Sequence, residues 1–134
     1  MNIEHFDDLL AAARAQPTPE RLLLVFSRAE LPDDASPEER LAFEQGMGGA
    51  LAPVFCVDKD ANELASFAAL QAEAAEVGQA WDLLFTAALS SRDGQAPTNA
   101  QIDTALEQMV AGIEAGHLGQ ALVFDRFGTP VQLA

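Results

Sequence analysis

Two hydrophobic patterns alternate along this chain: apolar residues at helical spacing, and short unbroken apolar runs. Near the N-terminus, Phe6, Leu9, Leu10 and Ala13 share one face of a helix predicted over about 3–16. Pro17 and Pro19 end it, since proline lacks the amide that a helix needs and its ring clashes with the preceding turn. The apolar run Leu22-Leu23-Leu24-Val25-Phe26 then reads as a buried strand. A helix capped by Thr18, with Pro19 at its first position, is the competing reading of that stretch.

Ser36-Pro37-Glu38-Glu39 is a helix start, with a Ser cap, Pro in the first position and Glu39 returning to the cap amide. Gly46 closes that short helix, and 53–57 forms a second strand. Asp60 and Glu63 make a second capping box, opening an Ala-rich helix that runs to about Val77 and stops at Gly78. A third strand is expected over 81–89. The strongest helical signal comes next. Thr98 and Gln101 supply a capping box, and Ile102, Ala105, Leu106, Met109, Val110 and Ile113 form a continuous apolar stripe that Gly116 terminates.

The runs 121–124 and 131–133 flank Asp125-Arg126-Phe127-Gly128-Thr129-Pro130, a hairpin signal in which Gly128 is free to adopt positive φ. Pro130 has no amide to donate to a ladder, which places the last strand at an edge. Strands separated by helices predict a single α/β domain over 1–134. Its sheet is expected to be mixed, with about five strands, helices packed on it and a C-terminal β-hairpin.

Composition narrows what such a domain can do. The 134 residues include 21 Asp plus Glu against 7 Lys plus Arg, a net charge of −14. With 49% hydrophobic residues the chain has enough apolar surface to fold despite that charge. Lys59 is the sole lysine and the basic residues form no cluster, so a phosphate backbone or an anionic membrane is repelled. Imitation of nucleic acid by the carboxylates remains an alternative role. The acidic N-terminus lacks the pattern of a signal peptide, and no run reaches the roughly 18 apolar residues of a membrane span. A soluble, cytoplasmic, reduced protein is expected.

Candidate chemistry is sparse. Cys56 is the only cysteine, which excludes an internal disulfide or a thiolate metal cage, and its place in an apolar strand reads as core. His5 and His117 sit near predicted helix ends, where surface placement is the default. Gly46-Met47-Gly48-Gly49 has a helix before it and a strand after it, the reverse of a phosphate loop. Asp33-Asp34 and Glu38-Glu39 do not follow a calcium-loop pattern. No metal or cofactor is expected.

Two polar turns draw more interest: Asp58-Lys59-Asp60 after the second strand and Ser90-Ser91-Arg92-Asp93-Gly94 after the third. Ligand crevices of open α/β sheets lie at the C-terminal ends of strands. If the two strands are parallel neighbours, Asp58, Lys59, Ser91 and Arg92 converge on a small polar or anionic ligand. The structural reading is that Asp60 caps its helix, Asp93-Gly94 makes a turn, and Lys59 and Arg92 soften local acid repulsion.

Leu22-Leu23-Leu24-Val25-Phe26-Ser27-Arg28-Ala29-Glu30-Leu31-Pro32, with Gly48-Gly49-Ala50-Leu51-Ala52-Pro53-Val54-Phe55-Cys56-Val57-Asp58-Lys59, resembles a family of small proteobacterial proteins across nearly the whole chain. Members often carry the label ribonucleotide reductase subunit alpha. A reductase catalytic subunit needs a radical cysteine, a redox pair of cysteines and a large barrel, which one cysteine in 134 residues does not supply. Phe6-Asp7-Asp8-Leu9-Leu10, Pro53-Val54-Phe55 leading to Glu63-Leu64-Ala65-Ser66-Phe67, and Ala121-Leu122-Val123-Phe124-Asp125 are also similar to the N-terminal domain of SseB-type proteins. That resemblance implies a small α/β module without established catalysis; the stretch around 33–49 departs from its pattern.

The expected function is a non-enzymatic module that binds a protein partner or itself, with Phe127 and Pro130 as contact points. The competing expectation is a small-ligand binder or enzyme built on the turns around Lys59 and Arg92.

Overall fold

A computed structural model of the chain describes residues 3–18, 20–31, 33–45, 50–91, 95–115 and 121–131. The Gly46–Gly49 segment, Arg92, Asp93, Gly94, Gly116 and His117 lie outside the described residues. The elements in chain order are α1 (Phe6–Arg14), β1 (Glu20–Glu30), α2 (Pro37–Glu44), β2 (Ala50–Asp60), α3 (Phe67–Val77), β3 (Leu83–Ser90), α4 (Asn99–Glu114) and β4 (Leu122–Phe124). Among the described residues they make an α/β domain whose four strands stand in the order β2-β1-β3-β4. Every strand pair among them is antiparallel, where a mixed sheet was expected.

β1 explains both the expectation and the correction. Leu22, Leu24 and Phe26 point into one core with α1 and α3, while Leu23 and Val25 point into a second core that includes Ile102, Leu106 and Ile113 of α4. A strand covered on both faces reads as an unbroken apolar run, the pattern usually associated with parallel sheets. Here the covering is the same but the direction is not. The β1–β2 connection carries α2, which buries none of its residues and leaves Leu41 exposed, so it is not a crossover helix packed on the sheet. Central Phe6, Phe26, Phe85 and Phe124 are fully buried, each contributing about 1.5–3 kcal/mol.

Gln132 and Leu133 of the expected fifth strand lie outside the described residues; within them, Pro130 makes an antiparallel bridge with Phe124 and the Val131 amide donates to the Val123 carbonyl at 2.8 Å. Pro130 lies at the sheet edge, where its missing amide costs nothing. The reading of Asp60 and Glu63 as a helix start also fails. Asp60 still belongs to β2, opposite Arg21, and its carboxylate accepts from the Asn62 amide at 2.8 Å in a turn. α3 begins later, capped by the Ser66 hydroxyl accepting from the Ala69 amide at 3.1 Å. The capping boxes at Ser36/Glu39 and Thr98/Gln101 form as expected.

α1 is tied to α3 and the turn before it by side chains. The Asp7 carboxylate accepts from the Phe67 amide at 2.8 Å, and Arg14 donates to the carbonyls of Ala61, Leu64 and Ala65. At the opposite end of the sheet, Phe26 stacks on Phe55 at 4.4 Å and meets Trp81 edge-on at 5.0 Å. The Asp82 carboxylate there accepts from the Ala29 amide at 2.9 Å, securing β1 beyond the irregular register between Phe26 and Ser27.

Candidate functional site

β2 and β3 both run antiparallel to β1 and therefore parallel to each other, but β1 lies between them. Their C-terminal ends do share one end of the sheet, about 10 Å apart by the spacing of two strand intervals. A small cavity of about 160 Å³ opens there, lined by Glu20 and Arg21 of β1, Asp60 of β2, Ser91, and Asn99 and Ile102 at the start of α4.

Strand parity decides which side chains reach it. Asp58, Lys59 and Asp60 are not a turn but the last three residues of β2, and successive strand residues face opposite sides. Lys59 is opposite Leu22, on the α1/α3 face, and its Nζ pairs with Glu73 of α3 at 2.9 Å. Asp58 is opposite Leu23, on the α4 face, where its Oδ2 accepts from Arg21 Nε at 2.7 Å and Nη2 at 2.6 Å. Lys59 and Asp58 thus serve separate faces. Ser91 lines the sheet-end cavity with Arg21 and Asp60, while Arg92 lies outside the described residues.

The cavity's charges are already engaged. Arg21 is held by Asp58, the Glu20 carboxylate accepts from the Ser90 hydroxyl at 3.2 Å, and the Glu20 carbonyl accepts from the Ala61 amide at 3.1 Å. Among the described residues its lining carries two carboxylates and one guanidinium. Among the described residues no cluster of three or more metal-ligating side chains occurs, and no helix is long and apolar enough to cross a membrane.

The second candidate is the turn after β4. Phe127 is 75% exposed, the largest exposure among the large hydrophobic residues that are described. Its backbone is nonetheless fixed. The Asp125 carboxylate accepts from the amides of Phe127 (2.8 Å) and Thr129 (3.0 Å), and the Asp125 amide donates to the Thr129 carbonyl at 2.9 Å. The neighbouring Arg126 carbonyl accepts from Gln71 of α3. His5, the N-cap of α1, receives the Asp7 amide on Nδ1 at 3.0 Å and makes its Nε2 bond to the Phe127 carbonyl at 3.0 Å. A carbonyl only accepts, so Nε2 is the donor in that bond. Gly128, at φ +81°, packs beneath against His5 and Phe67, and its carbonyl takes the Phe6 amide at 2.8 Å.

No protein-family model, curated protein or solved structure matches this chain. Sequence reasoning singled out Phe127 and Pro130, both exposed, but not the residues that hold them. His5 and Asp7 lie more than a hundred residues away, and only the Asp125 acceptor next to Gly128 gave a local signal. Cys56 is a plain correction: it lies on β2, an edge strand, and is exposed rather than core.

Proposed function

We propose that the protein is a non-enzymatic interaction module that engages a protein partner, or a second copy of itself, through the turn bearing Phe127. The observation that carries this reading is an exposed aromatic side chain on a backbone fixed by α1, α3 and β4. Aromatic anchors dominate binding energies at protein interfaces, and pre-organised ones lose less entropy on binding. Pro130, exposed and conformationally rigid, extends the same contact region.

Support also comes from the commitment of the polar groups elsewhere. Asp58, Lys59 and Glu20 each serve a neighbouring side chain, which favours a structural role over general acid or base work. Sedimentation equilibrium and affinity capture with wild type and Phe127→Ala test the reading. The substitution is expected to weaken self-association or partner capture at least tenfold without lowering stability. Equal behaviour of the two proteins, or a strictly monomeric wild type that captures no partner, refutes it.

A further inference from the structure

The β4 side of the sheet is bridged by Pro130 and Val131, whereas β2 forms the other edge with β1 on one side only among the described residues. The register shows which backbone groups of β2 face outward. The Ala61 amide donates to the Glu20 carbonyl at 3.1 Å, continuing the Arg21–Asp60 pairing by one residue. Alternate residues of an antiparallel pair exchange backbone bonds, so Leu22, Leu24 and Phe26 bond to Lys59, Val57 and Phe55. The Ser27 carbonyl, of the other parity, is turned towards β3 and accepts from the Asp82 amide. The amides and carbonyls of Cys56 and Asp58 consequently point away from β1, and no described group bonds to them. Cys56 itself is exposed. Pro53 and the irregular register at Phe26/Ser27 bound this open stretch at one end, and at the other the Asp60 carbonyl is taken by the amides of Glu63 and Leu64.

We propose that this edge takes up an extended cationic segment of another protein as an added antiparallel strand. Strand addition draws its affinity from main-chain bonds and its selectivity from alternate side chains. Phe55 and Val57 lie half-buried on the face covered by α1 and α3. Cys56, Asp58 and Asp60 lie on the α4 face, where two carboxylates accompany the Arg21 guanidinium. Residues directly opposite in a strand pair share a face. A segment alternating apolar residues with Lys or Arg therefore sets apolar against apolar and base against acid. The net charge of −14 draws such a segment in and opposes a second copy of the chain, which brings the same −14.

The surface uses no residue of the Phe127 turn. The full chain is titrated with the acetylated, amidated peptide Val-Lys-Val-Lys-Val-Lys and with two forms N-methylated at either the lysine or the valine amides. Amide chemical shifts and hydrogen exchange are the readouts. In the proposed pairing the lysines stand opposite Cys56 and Asp58 with their amides aimed at β2, while the valine amides face solvent. Saturable binding is expected to slow exchange at the Cys56 and Asp58 amides, those of Val57 and Lys59 being protected throughout. Methylating the lysine amides should weaken binding roughly tenfold or more, and methylating the valine amides should change it little. Cys56→Pro removes an outward amide at an edge position that tolerates proline, and should weaken binding to the same degree. Equal affinity of the two methylated peptides would reduce the binding to charge attraction and overturn the proposal, whether or not Cys56→Pro folds. Binding unchanged in a folded Cys56→Pro, or slowed exchange confined to the Phe127 turn, would also overturn it. Concentration-dependent protection of the Cys56 and Asp58 amides without peptide would assign the edge to a second copy and refute the cationic partner.

Discussion

Replacing Gly128 by alanine adds two separable costs at one position. Gly128 has φ +81°, where a Cβ strains the backbone, and that Cβ would stand 2.5 Å from His5 Nε2 and 3.0 Å from Phe67 Cδ2. Gly78, with φ +80°, has nothing within 4 Å of its own Cβ position and is the internal control. Left-handed strain costs about 1–2 kcal/mol, offset by roughly 0.4–1 kcal/mol from a stiffer unfolded chain. Gly78→Ala is therefore expected to lose about 1 kcal/mol. At Gly128 the overlap adds roughly 1–3 kcal/mol, because neither neighbour has room to yield. Phe67 is core, and moving the His5 ring breaks its bonds to Asp7 and Phe127. A total loss of about 2–4 kcal/mol follows for Gly128→Ala. Urea unfolding followed by the fluorescence of Trp81, the single tryptophan, measures both variants. Equal losses in the two would refute the close approach of Gly128 to His5. Adding His5→Ala should recover part of the Gly128→Ala loss, a coupling that a double-mutant cycle reads directly.

The remaining expectations follow from single contacts. Ser27 is fully buried with no hydrogen-bond partner for Oγ among the described residues, so Ser27→Ala should raise stability by about 1 kcal/mol in urea unfolding; a loss of that size would show that the hydroxyl is satisfied. Cys56 is exposed, and native protein should react fully with a maleimide within minutes; protection until unfolding would contradict that placement. The Arg21–Asp58 pair is about one-third exposed on both sides, so a double-mutant cycle with Arg21→Ala and Asp58→Ala should give a coupling of only about 0.2–1 kcal/mol. A coupling several times larger would mean that the pair is shielded from solvent.

What could be read from the sequence, and what could not, divides along a physical line. The box Thr98/Gln101 and the stripe from Ile102 to Ile113 are local, and α4 forms where they indicate. Strand direction is not local. The run from Leu22 to Phe26 reports that two faces are covered, a condition met equally by helices over a parallel or an antiparallel sheet. The error at Asp60 has the same origin: its carboxylate can serve a turn or a helix cap, and the choice was made by pairing with Arg21 across the sheet. The Ser66 cap, followed by Phe67, Leu70 and Ala74 at helical spacing, was the signal available for the true start of α3.

The same distinction governs the candidate sites. Recognising Phe127 required only a polar turn with an aromatic in it, but its presentation depends on His5 and Gln71, contributed by the two helices of one sheet face. The polar residues at the end of β2 looked convergent because adjacent letters were read as adjacent side chains. Once β2 extends to Asp60, parity sends Lys59 to α3 and Asp58 to Arg21 on the opposite face. A ligand meeting Asp58, Lys59 and Ser91 together would have to reach around the sheet edge. The interaction reading makes no such demand, because the turn bearing Phe127 is assembled by bonds already in place before any partner arrives.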